Sequence, residues 1–379
     1  MEFLFDGIAL IGWKHLVMYG IGIILIILAI KKEYEPALLL PMGFGAILVN
    51  LPLSGVLNQI LPGVGEVHGP IQWLFEAGIE AAEIMPLLLF IGIGAMIDFS
   101  PLFARPVFLL FGAAAHFGIF ATITLSVLLG FSLGDAAAIG IIGAADGPTT
   151  ILVSQIVRSP YLGAITVAAY SYMALVPIIQ PFTIKLITSK KERQIRMDPV
   201  SDNEVPKSLR IIFPIAVTII VGLISPAAVA LIGFLMFGNL IRECTVLESL
   251  SEAAQKNLTY LVTLLLGITI SFTMQAEKFI TLQSVMIMGL GLFAFVLDTV
   301  GGVFFAKILN LFLKKKINPM IGATGISAFP ISARVIQKIA LKEDPYNILL
   351  MHAVSANVSG QIASVAAAGL VLSLLFSHM

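Results

Sequence analysis

The sequence predicts an all-α polytopic membrane protein made of two inverted repeats of about five spans, each with one interrupted, re-entrant helix segment. Three observations carry this. First, 58% of the 379 residues are apolar and only 12% are charged, against roughly 25% charged in a soluble domain; mean hydropathy is +1.01. A soluble protein of this composition could not cover its surface with polar groups. Second, the charges gather in short islands between apolar runs of roughly 15–28 residues, the length that crosses a hydrocarbon core about 30 Å thick. Third, two apolar segments broken by Gly and Pro, 136–157 and 318–340, occupy matching places in the two halves. Such a pair is the sequence pattern of transporters built from repeats.

The first repeat, 1–188, opens with a span over 14–30 that stops at Lys31, Lys32 and Glu33. Glu2 and Asp6 stand where a signal peptide would be basic, so this run is read as a retained helix. A second span covers 37–57 and contains Asn50. The polar stretch 58–83 follows, and 71–82 in it reads as an interfacial helix with Trp73 and Phe75 towards lipid. Further spans are expected at 84–99, 106–133 and 162–187, with the interrupted segment 136–157 before the last. Residues 189–210, the longest polar stretch, read as a linker. The second repeat, 211–379, offers spans at 211–225, 226–241, 258–273, 282–305 and 346–376, with 318–340 interrupted. Short strings recur in the same order in both halves, among them Ile142-Gly143-Ala144 and Ile321-Gly322-Ala323.

Lysine and arginine concentrate at 31–32, 105, 190–210, 242–256, 314–316 and 334–342. All these islands fall on the cytoplasmic side if the two interrupted segments dip in and return. The expected count is then about ten crossings, with the linker cytoplasmic and both termini external. Other classes fall away. With 22 basic and 22 acidic residues, nothing points to nucleic acid. Cys244 is the single cysteine, so no internal disulfide or thiolate cluster forms. The five histidines show no HxxxH spacing. P-loop and dinucleotide fingerprints are absent, as is the Met-Lys-Met type attachment point for biotin.

Asp146, within Gly143-Ala144-Ala145-Asp146-Gly147-Pro148-Thr149-Thr150, is the leading functional candidate. A carboxylate inside a membrane is costly and marks an ion or proton path, and the helix break beside it frees carbonyls that can ligate a small cation. The same residue can also N-cap a helix starting at Pro148. The partner segment has no acid and offers Asn318, Thr324 and Ser327. One carboxylate with several neutral oxygens suits Na+ better than Ca²⁺ or Mg²⁺, whose sites gather more carboxylates; a small-residue packing face is the alternative. Tyr172 and Asn357 are polar groups within spans, and interhelical hydrogen bonding accounts for either equally well. Asp298 is a secondary candidate. Asp98, Glu80 and Glu83 lie near span ends, and Glu243 and Glu248 are read as solvated loop residues.

The strings GAADGPTTI (143–151), NPMIGATGIS (318–327), AFPISARV (328–335) and MHAVSANVSGQIAS (351–364) resemble the β subunit of the Na+-pumping biotin-dependent decarboxylases, over nearly the whole chain from Gly43 onwards. The resemblance implies a subunit that decarboxylates carboxybiotin and couples this to Na+ export and proton uptake in the bacterial cytoplasmic membrane. It implies three partners: a carboxyltransferase α subunit, a carrier subunit that supplies the biotin, and a small membrane γ/δ subunit; a homo-oligomer is also conceivable. It assigns Na+ binding and pumping to Asp146, further roles to Asn318, Gly322 and Ser327, and carries Tyr172, Asn357 and Ser364 along; catalysis falls to Asp146, Tyr172 and Ser327. The rival from a different class is a stand-alone transporter of an organic anion or of H+ against Na+.

Overall fold

The computed structural model describes residues 6–33, 35–61, 63–81, 84–104, 106–198 and 205–377. It is a helical bundle. Helix α1 (Trp13–Lys32) ends on its basic pair, and Glu33 caps it in a left-handed conformation. Helix α2 (Pro36–Val49) starts with Pro at its first position, where the missing N–H costs nothing. It packs on α1 through Gly22 and Gly43; a Cβ on either would stand 2.7 Å from the other's carbonyl oxygen. At 1.5 Å per residue α2 is about 21 Å long, so the span expected over 37–57 is cut short. Asn50 caps its end: the side-chain amide donates to the carbonyls of Ala46 and Met274, both at 2.8 Å, and its oxygen accepts from the Ala276 amide at 2.7 Å. One side chain thereby ties the first half to the second.

A hairpin of β1 (Gln59–Leu61) and β2 (Gly65–Val67) occupies the polar stretch that follows. Helix α3 (Pro70–Phe75) continues as a π turn, Glu76–Glu80, and meets α4 (Ile84–Met96) at 64°. Trp73 is exposed as expected, but Phe75 is buried. Its ring lies 4.6 Å from that of Phe272, because the bend turns this face towards the bundle. Glu83 lies outside the described residues, as does Arg105.

Helices α5 (Leu109–Ala115) and α6 (Phe117–Leu128) form one crossing broken at His116. Helix α7 (Leu133–Ile141) runs into a 3-10 turn, Ile142–Ala144, and stops where Ala145 turns left-handed (φ 53°). Helix α8 (Gly147–Ile156) begins directly after it, and α9 (Leu162–Ile187) crosses in full. The second half contributes α10 (Lys207–Ile224), α11 (Val229–Cys244), α12 (Thr259–Ile270) and the 31-residue α13 (Leu282–Phe312). A 3-10 turn, Pro319–Thr324, and an irregular stretch then lead to α14 (Ile331–Glu343) and α15 (Leu350–Ser377). Both interrupted segments are therefore broken helices, and 318–340 resolves into the 3-10 turn and most of α14. Among the described residues, eight helices are long and apolar enough to cross a bilayer, or nine with the bent pair of α3 and α4.

Glu243 sits on α11 rather than in a loop and is buried, 3.2 Å from Arg210 and 3.5 Å from Arg242. The helix extends past the expected span end and carries the acid to its two counter-charges. The first stretch of the linker is structured too. Ser189 and Glu192 form a capping box on the turn Lys190–Arg193, whose Arg193 pairs with Glu343 at 2.9 Å. Arg196 donates two hydrogen bonds to Asp344, at 2.6 and 3.0 Å.

Packing and charge each give an expected outcome. A Cβ on Gly302 of α13 would collide with the Gly322 carbonyl. Gly302→Ala should therefore cost about 1–3 kcal/mol through overpacking, while Gly289→Ala, with nothing within 4 Å, should be neutral or stabilise by up to about 1 kcal/mol; thermal unfolding in detergent measures both. The Arg196 guanidinium also holds the Asp344 carboxyl below its usual range. A depressed carboxyl stabilises above its unfolded value and loses that contribution as pH falls through the folded one. Amide exchange over 193–198 should hold steady from neutral pH through the ordinary carboxylate range and quicken only below it, whereas Asp344→Asn should exchange quickly at neutral pH.

Candidate functional site

Asp146 stands at the break between α7 and α8 and is 5% exposed. It serves both purposes the sequence allowed. Its Oδ1 accepts from the Thr149 amide at 3.2 Å, capping α8, and its backbone carbonyl accepts from the Thr150 hydroxyl at 2.7 Å. Its Oδ2 accepts from the Ser364 hydroxyl at 2.8 Å. The Ser327 side chain faces the same carboxylate. Among the described residues no lysine or arginine pairs with it, so a buried negative charge is met by neutral donors alone.

The second break comes to the first. The Ser327 amide donates to the Ala144 carbonyl at 2.9 Å, joining the two opened backbones. Helix α15 stitches the rest. Asn357 donates to the carbonyls of Thr324 (3.1 Å) and Ile326 (2.7 Å). Gln361 donates to the Ser327 carbonyl, and the Ser327 hydroxyl donates to the Gly360 carbonyl at 3.0 Å. Residues 357, 361 and 364 share one helix face by the four- and three-residue spacing, so the polar stripe meets both breaks in succession. Gly322 contributes by its lack of a side chain: a Cβ there would strike the Gly302 carbonyl.

Asp146, Ser327, Gln361 and Tyr170 line a cavity of about 140 Å³, space for a few waters or a small cation. Two predicted residues stand elsewhere. Asn318 uses its amide to hold the linker, donating to the carbonyls of Arg193 (2.9 Å) and Ile195 (2.8 Å), while its oxygen accepts from the Met320 amide at 3.1 Å. Tyr172 donates to the Met288 carbonyl and lies against Gly291 of α13. Two positions along a helix is about 200° of rotation, so Tyr170 faces Asp146 and Tyr172 faces away. That tyrosine face was readable once Asp146's side of α9 was known. Gln361 was marked by its register with Asn357. Glu35, also on the cavity wall, had no local signal because only the fold brings it there.

Asp298 is fully buried on α13, its two oxygens lying close to the Cα positions of Gly118 and Gly143. The Gly118 and Ile119 amides at the start of α6 lie nearby, without closing a hydrogen bond of normal geometry. It braces the first break from behind and does not line the cavity.

A buried carboxylate at a helix break, with hydroxyl, amide and carbonyl groups around a small cavity, is suited to a monovalent hard cation, which supplies the missing counter-charge. Comparison with known proteins agrees with that chemistry. The family model for the Na+-transporting oxaloacetate decarboxylase beta subunit matches residues 14–375. The chain is 46% identical over 362 residues to methylmalonyl-CoA decarboxylase subunit beta of Veillonella parvula, covering 96% of this chain and 93% of that one. It is 46% identical over 370 residues to glutaconyl-CoA decarboxylase subunit beta of Acidaminococcus fermentans (98% and 96% covered). It is 42% identical over 419 residues to oxaloacetate decarboxylase beta chain 2 of Salmonella typhi (97% and 96%). With matches of this extent, and with a polytopic helical fold around a buried carboxylate, the chain belongs to the β-subunit family of the Na+-transporting decarboxylases.

Proposed function

We propose that this subunit decarboxylates carboxybiotin brought by a partner carrier subunit and uses that step to export Na+. The observation that carries the reading is Asp146: a buried carboxylate with no basic partner, set where two helix breaks meet. A carboxyltransferase α subunit loads the carrier, and a small membrane γ/δ subunit completes the assembly. Loss of CO2 from carboxybiotin breaks a C–N bond and leaves the nitrogen to take a proton. The role of this chain is to hold Na+ and to admit that proton. Na+ is held by Asp146 with the Ser327 and Ser364 hydroxyls and the carbonyls freed at the two breaks. Departure of Na+ strips Asp146 of its only counter-charge, so Na+ and H+ compete there. Asn318, Gly322 and Asn357 support the site by fixing the 3-10 turn and its flanks, and Tyr172 by anchoring α9 to α13.

Two membrane repeats, 1–188 and 211–379, then contribute one break each, with α2 and the bent pair of α3 and α4 completing ten crossings. The basic ends of α1, α9 and α13 face the cytoplasm of a bacterial inner membrane, and the chain termini lie outside. Lys307 supports that side: its ammonium donates to the Ile187 carbonyl at 2.6 Å and pairs with Glu192 at 3.0 Å, joining the linker ends of α9 and α13.

Asp146→Asn keeps the size and removes the charge. It is expected to assemble with its partners yet to lose Na+-stimulated CO2 release and ²²Na+ uptake into inverted vesicles; wild-type pumping would overturn the reading. Ser364→Ala and Ser327→Ala should each raise the half-saturating Na+ concentration about tenfold, the scale of one hydrogen bond to a charged group. For the orientation, Lys191→Cys in a Cys244→Ser background should resist impermeant thiol reagents added outside intact cells, and ready labelling would reverse it. Asn203, also in the linker, lies outside the described residues.

A further inference from the structure

The cavity at Asp146 has a second carboxylate on its wall. Glu35 lies on the turn between α1 and α2, in a left-handed conformation (φ 38°), three positions after Lys32. It lines the same space as Asp146, Tyr170 and Ser327. Burial raises its carboxyl above the ordinary range, with no basic group to oppose it.

The cavity also has a direction. Met96 is the last residue of α4, and Thr259 is the first of α12, three positions after Lys256. Glu35 itself precedes α2. The wall is thus built from helix ends nearest the basic islands, and the cavity leads from Asp146 towards the basic side of the bundle. A face rich in Lys and Arg repels cations. Na+ approaching from that side needs a local negative potential to offset the field, and Glu35 supplies it. Tyr170 provides the independent sign of a ligand. It is 2% exposed, its hydroxyl has no hydrogen-bond partner, and it lies within the field of both Asp146 and Glu35. A buried hydroxyl left unpaired costs about 1–3 kcal/mol unless something passing through the cavity pairs with it.

We propose that Glu35 and the Tyr170 hydroxyl form an entry station for Na+ on the basic side of the cavity, from which the ion passes to Asp146. This rests on the reading of Asp146 as the Na+ site and adds the residue that fills it.

The test uses the whole purified decarboxylase complex. Rates of CO2 release are measured against Na+ concentration, alongside Na+ protection against thermal unfolding. Glu35→Gln should raise the half-saturating Na+ concentration about tenfold, the effect of one charge lost at interior-like dielectric, and shift the protection curve in parallel. Glu35→Asp, which keeps the charge, should recover most of the shift. An unshifted Na+ dependence in Glu35→Gln overturns the proposal. Should that variant fail to assemble, Tyr170→Phe decides in its place, an unshifted curve again being fatal. Asp146→Asn separates the two levels. If it pumps normally, the underlying reading falls. If it is inactive while Glu35→Gln responds to Na+ as wild type does, only the entry station falls.

Discussion

Backbone groups released by a helix break have no water to turn to inside a bilayer, and each one left unpaired costs several kcal/mol. Two breaks in one bundle would be prohibitive if each were solved alone. Here they are solved together. The amide of Ser327 in the second break meets the carbonyl of Ala144 in the first, and one stripe of α15 serves the carbonyls of Thr324, Ile326 and Ser327. Gln180 of α9 takes the carbonyl of Ala323 at 2.8 Å and is itself held by Ser332 at 3.0 Å. The breaks persist because their partners are already in place, and the ion-binding oxygens are those left over once these bonds are made.

Such bonds need backbones close together, which explains where the glycines fall. Gly302 and Gly322 stand Cα to carbonyl, Gly360 faces the carbonyls of Gly325 and Ile326, and Gly147 lies beneath the Tyr170 ring. A side chain at any of these positions would push apart elements whose hydrogen bonds hold the site. Packing through small residues is the usual substitute for hydrophobic driving force between membrane helices; here it also sets the spacing of polar groups. Asp298 belongs to the same layer, wedged between Gly118 and Gly143.

Much of this was legible. Apolar runs marked the full spans, and Gly and Pro marked both breaks. Asp146 stood out because a carboxylate there has no cheap structural reason. What could not be read depended on rotation or on distance along the chain. Tyr170 and Tyr172 look alike until α9 is oriented. Asn318 had the composition of a ligand, yet the linker folds back and takes its amide. Phe75 turned inward because α3 bends, and Glu243 was buried because α11 runs on to meet Arg210. Asn50, a lone polar residue in an apolar run, became the tie between the halves, since its partners Met274 and Ala276 are more than 220 positions away. Family resemblance carried the functional vocabulary, but it could not say which polar groups share a cavity.

The division of labour within Asp146 gives the site its use. Oδ1 is committed to the Thr149 amide and so to the start of α8. Oδ2 faces Ser364, whose hydroxyl also reaches the Gln361 carbonyl at 3.0 Å. A cation approaching Oδ2 displaces one donor that already has another acceptor waiting, so binding breaks no bond that the helix needs. Its departure returns the hydroxyl to Oδ2, or leaves that oxygen to a proton, and the cap is untouched in both cases. A site whose ligand was also the cap's only oxygen would melt its own helix at each exchange. Here the exchange is confined to one carboxylate oxygen and one serine rotor, and the fixed frame around them is what lets a change of ion be felt by neighbouring helices instead of being absorbed locally.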